Sequence, residues 1–115
     1  PSVNYMIKSS LKILKNKKLA VVVHDKKLYK KLKKLRTKNL RVYYVKEAGE
    51  VPYKINVALK KADALIAIPD NVVFNYFSMQ FIFEKAILMG KYIIGYSENM
   101  LDLGAYAVIS PNYLK

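Results

Sequence analysis

A chain of 115 residues, 53% hydrophobic and 25% charged, has the size and balance of one folded core, which excludes a disordered or fibrous polypeptide. Its longest apolar runs, "LAVVV" and "ALIAI", fall far short of the roughly 18 residues that cross a bilayer. The lack of cysteine excludes disulfides and thiolate metal sites, and the net charge of +13 is lopsided: 18 basic and 3 acidic residues stand up to Lys61, against 3 basic and 5 acidic after it.

The chain begins Pro-Ser-Val, with neither an initiator Met nor a signal peptide, and is expected to be a mature or excised piece of something longer. A helix is predicted from Tyr5 to Leu14, then a strand from Lys18 to His24. "KKLYKKLKKLR", Lys26 to Arg36, places Leu28, Leu32 and Leu35 on one helical face and lysines on the rest. "LRVYYV" (Leu40 to Val45) reads as the second strand, and the segment after Val51 carries Val51, Ile55 and Leu59 at helical spacing. "ALIAI" (Ala64 to Ile68) is a strand of the fully buried kind. A long helical pattern from Val72 to Met89 carries Val73, Phe74, Phe77, Phe81 and Ala86 and stops at Gly90, a suitable residue just past a helix end. "YIIGY" (Tyr92 to Tyr96), a short helix around Glu98 to Leu103 halted by Gly104, and "AYAVI" (Ala105 to Ile109) complete the chain.

Five strands alternating with helices require right-handed crossovers, and so a parallel sheet covered on both faces. The expected fold is a three-layer αβα sandwich with strand order 2-1-3-4-5, forming one domain over residues 1–115 without linkers or internal repeats. In such a sheet, ligands bind at the carboxyl ends of the strands. That edge collects His24 and Asp25, Asp70 and Asn71, and Ser97 and Glu98. Pro69 cannot donate a ladder hydrogen bond, so it ends the third strand, and Asp70 or Asn71 is placed to cap the helix expected after it. The same corner offers a carboxylate, an amide and helix N-terminal N–H groups to a small molecule bearing both an amine and a carboxylate.

The span from Ala62 to Tyr113, "ADALIAIPDNVVFNYFSMQFIFEKAILMGKYIIGYSENMLDLGAYAVISPNY", resembles the ABC transporter substrate-binding protein family that handles aromatic or other amino acids. The shared pattern is a strand ending in Pro and Asp, a long helix, a strand entering Ser and an acidic residue, then a Gly-Ala turn. The earlier half matches in element order, including Glu50-Val51-Pro52 ahead of a helix, while "HDKK" departs from the Ser- and Asn-containing turn common in that family. The resemblance implies one lobe, the second, of a type 1 periplasmic-binding fold. It implies ligand-side roles for Asp70, Asn71, Ser97 and Glu98, with His24 and Asp25 at the matching end of the first strand. It implies an amino-acid-like ligand, a partner lobe outside this chain, an ABC permease in the membrane, and a periplasmic or extracellular location with the full-length protein anchored to the membrane or free. An uncovered face of the long aromatic helix would meet that lobe, or a second copy in a homodimer.

Catalysis is not expected, nor any cofactor. The single histidine is His24, and "HDKKLYKK" stands where a Gly-rich phosphate loop would follow the first strand. Receiver-domain chemistry at Asp70 lacks its acidic pair, since Asp25 follows His24, and Pro111 and Asn112 follow the fifth strand where a Lys would be needed. The alternative class is a basic nucleic-acid-binding or protein-interaction module of flavodoxin-like fold. Its phosphate contacts would come from Lys26, Lys27, Lys30, Lys31, Lys33, Lys34, Arg36 and Lys38. With Tyr29 as the one ring among these lysines, single-strand stacking is poorly served, and nucleic acid is the less favoured partner. Basic charge could equally hold the protein near anionic headgroups.

Overall fold

Apolar runs too short for helices become strands. A computed structural model describes residues 2–35 and 37–110, and in it β1 (Leu19–Val23), β2 (Leu40–Tyr44), β3 (Ala64–Ile66), β4 (Tyr92–Gly95) and β5 (Ala107–Val108) form one sheet. All four pairings are parallel and the order is β2-β1-β3-β4-β5, as the alternation of elements predicts. The register is plain at the amino edge, where Leu19 pairs with both Leu40 and Ala64, and Ala64 with Tyr92.

Every residue of β1 and β3 is buried, because helices cover both faces of the sheet. On one face, α1 (Ser2–Ile13) and α2 (Lys26–Lys33) press Met6, Ile7 and Leu32 onto Leu19, Val21, Val23 and Ile66. On the other, α3 (Val51–Lys61) and α4 (Tyr76–Leu88) bring Ile55, Leu59, Ile82 and Phe83 against Ala20, Val22, Leu65 and Ile93, joined by Met100 of α5 (Asn99–Leu103). The result is the αβα sandwich, with alternate residues of each strand feeding opposite layers. A short 3-10 turn, Ala48–Glu50, leads into α3, whose Pro52 occupies the first turn, where a missing N–H costs nothing. Among the described residues no helix is long and apolar enough to cross a membrane.

Two helices differ from expectation. α2 closes at Lys33, with Leu32 buried and Leu35 already outside it and exposed; the expected end at Arg36 lies outside the described residues, as do Pro111, Asn112 and Tyr113. The more consequential difference is α4, which begins at Tyr76 and not at Val72. Val73 and Phe74 are buried ahead of it in a loop, so the helical phase is set afresh and Phe77, expected on the apolar face, emerges into solvent. Gly90 ends this helix with φ 68°, the left-handed conformation that glycine adopts without steric cost. At Gly95 a Cβ would stand 2.8 Å from the Met100 sulfur, so the missing side chain lets α5 lie against the end of β4.

Candidate functional site

At the carboxyl edge, the chain leaving β3 runs Ile68-Pro69-Asp70, and Asp70 turns back toward β1. Its Oδ2 accepts the backbone N–H groups of His24 at 2.6 Å and Asp25 at 3.3 Å, and its Oδ1 accepts those of Val72 at 3.2 Å and Val73 at 3.4 Å. Four amides converging on one carboxylate tie the end of β1 to the loop after β3. His24, half-buried, places Nδ1 3.0 Å from the carbonyl of Val45; the carbonyl can only accept, so Nδ1 carries the proton in this bond. Asp25 caps α2 by accepting the Leu28 N–H at 3.2 Å. His24, Asp25 and Asp70 therefore form one cluster that fastens β1, β2 and β3 together.

The helix-capping role expected of Asp70 or Asn71 belongs instead to Asn75. Its Oδ1 accepts the N–H groups of Phe77 at 2.9 Å and Ser78 at 3.0 Å, while the Ser78 Oγ accepts the Asn75 N–H at 3.0 Å, a reciprocal capping box. Ser78 Oγ also donates to Val73 O at 2.6 Å, and Asn75 Nδ2 donates to Asn71 O at 3.0 Å, which fixes the loop against the helix it precedes. Because the helix starts this late, Tyr76 and Phe77 stand on its first turn, 89% and 88% exposed, with their rings edge to face at 5.5 Å.

These rings wall a groove of about 620 Å³ that runs from the loop after β3 to α5. Asn71, Asn75, Gln80 and Asn99 supply amides to it; Tyr76, Phe77 and Tyr96 supply rings; Phe74 and Met100 lie beneath. Burial pushes the Tyr96 hydroxyl above its ordinary pKa, so it stays a neutral donor. None of the lining residues is charged. A groove of that makeup suits a small molecule with a ring to stack and several groups to hydrogen-bond.

Of the residues expected at the site, Asn71 lines this groove. Ser97, half-buried, donates its hydroxyl to Asn99 Oδ1 at 2.6 Å and so orients one of the lining amides, while Glu98 is exposed at the start of α5. The structure thus gathers the six residues into two groups, one centred on the Asp70 carboxylate and one at the end of β4. Sequence reasoning missed Tyr76, Phe77, Gln80, Tyr96 and Asn99. A usable signal was present in Asn75-x-x-Ser78, a capping pattern that marks the true start of α4 and so the two residues on its open first turn. Among the described residues, no group of three His, Asp or Glu side chains is placed to hold a metal ion.

No protein-family model matches this sequence, and no curated protein does. Solved structures share its fold. A conserved domain protein from Vibrio cholerae o1 biovar eltor str. n16961 superposes on 98% of this chain with a TM-score of 0.70 and 18% identity. The ABC domain in complex with L-Trp from Streptococcus pneumonia superposes on 92% with a TM-score of 0.64 and 16% identity. At such identities the likeness establishes the periplasmic-binding-like α/β fold, and this chain spans 41% and 39% of the lengths of those two proteins.

Proposed function

We propose that this chain is a ligand-binding lobe of an ABC-type solute receptor, taking a small amino-acid-like molecule in the groove between α4 and α5. The observation that carries the reading is the pair of solvent-exposed rings, Tyr76 and Phe77, set beside the side-chain amides of Asn71, Gln80 and Asn99 at the carboxyl edge of a parallel sheet. Exposed aromatic rings hold apolar surface in water at a free-energy cost, which a flat or apolar ligand group relieves by covering them. The complex of a protein of this fold with L-Trp supports the ligand class. In this reading Asn71, Gln80 and Asn99 hold the polar groups, Asp70, Asn75 and Ser97 keep the loop and the amides in place, and Glu98, at the start of α5, is the carboxylate for an ammonium group. Binding is reversible and without chemistry. It is coupled to closure against a second lobe and to docking on a permease, outside the cytoplasm.

Amide chemical-shift mapping during titration with the twenty common amino acids tests the proposal, since it detects the weak binding expected of one wall of a site. One chemical class should shift the resonances of Asn71, Gln80, Tyr96 and Asn99 saturably, with at least a tenfold loss of affinity in Phe77→Ser. Saturable shifts confined to other regions, or none with any amino acid, would overturn it.

A further inference from the structure

The opposite edge of the sheet carries a second depression, of about 500 Å³, which the proposed function leaves unused. Lys18 precedes β1, Lys38 precedes β2, Arg41 lies in β2 and Lys61 closes α3; all four are exposed and all line this depression. No charge run in the sequence assembles them. The parallel register does, because Leu19 pairs with both Leu40 and Ala64, bringing the residues just ahead of three strands side by side.

None of the four cations has a carboxylate partner among the described residues. Asp63, the neighbouring acid, turns its Oδ2 to the backbone N–H of Lys18 at 2.8 Å. Asn39 and Tyr43 complete the lining, and the Tyr43 hydroxyl is buried with no hydrogen-bond partner among the described residues. Four like charges around a concave, partly apolar wall focus a positive potential, and a multiply charged anion relieves it. Arg41 adds a planar fork that matches two phosphate oxygens. Lys27, Lys30, Lys31 and Lys34 line a separate depression beside α1, but there the Asp25 carboxylate stands among them and no arginine does.

We propose that this amino-edge depression is a binding site for a small anion of the diphosphate class, held by Lys18, Lys38, Arg41 and Lys61. The proposal stands apart from the ligand groove at the carboxyl edge and does not depend on it. Calorimetric titration with inorganic pyrophosphate at low and at physiological salt reads it directly. Saturable one-site binding is expected, at least tenfold weaker in Arg41→Ala/Lys61→Ala and in Lys18→Ala/Lys38→Ala. It should change less than twofold in Lys12→Ala/Lys15→Ala, which removes the same charge from α1 and the turn after it. Arg41→Lys should retain part of the affinity. Equal weakening in all three pairs would mean a response to net charge alone and would overturn the site. So would the absence of saturable pyrophosphate binding, whether or not a 20-nucleotide single strand binds with steep salt dependence.

Discussion

Asp70 and Phe77 belong to the same short stretch of chain and the same edge of the sheet, yet they treat solvent in opposite ways. The Asp70 carboxylate, the most conspicuous candidate for meeting a ligand, spends its oxygens on four backbone N–H groups. Phe77, a residue expected in the core, projects into water beside Tyr76. A polar residue at a strand end can thus be the rivet of a site, and an aromatic one its open surface. The deciding matter is which unsatisfied groups remain after the backbone has been served.

The sharpest way to break this comparison is Asp70→Ala. Leaving several N–H groups without their acceptor should cost about 2–3 kcal/mol and lower the thermal midpoint by about 10 °C. Thermal melts followed by circular dichroism would expose an error, since a midpoint close to wild type would mean that the carboxylate is not structural. Asn75→Ala removes the cap of α4 and should destabilise by about 1 kcal/mol. Its distinguishing readout is faster amide exchange confined to Phe77 and Ser78. The paired change Tyr76→Ser/Phe77→Ser should leave stability within about 0.5 kcal/mol of wild type, as substitutions of exposed side chains do. A large loss measured by chemical denaturation would place these rings in a packed interface after all.

Much of this architecture could be read from residue order. Leu28 and Leu32 do face the sheet, Val51, Ile55 and Leu59 are buried, and the unbroken apolar runs of β1 and β3 foretold a sheet covered on both faces. The start of α4 could not be read so directly. Asp70, Asn71 and Asn75 are all good capping residues, and Val72, Val73 and Phe74 continue the apolar pattern without a break. The choice among them was made by tertiary packing: Val73 and Phe74 gain more by burial from a loop than by turning with the helix. The site inherits that ambiguity, because the phase of α4 decides which rings reach the groove. The cationic depression was hidden for a different reason, as its residues are neighbours only through strand register.

The sheet tapers as it crosses the molecule. β1 and β2 match over five residues, whereas β4 and β5 match over two, with Tyr106 N–H to Ile93 O at 2.8 Å and Ile109 N–H to Gly95 O at 2.9 Å among the bonds that hold the last strand. Fewer ladder bonds on the β5 side place the lowest opening free energies there, so amide hydrogens at that end exchange first while those of the fully buried β1 outlast them. Tyr96 and α5 ride on this softer margin. Ligand capture in the groove would then be felt as a quieting of the margin, leaving the stiff, cationic end of the sheet unmoved.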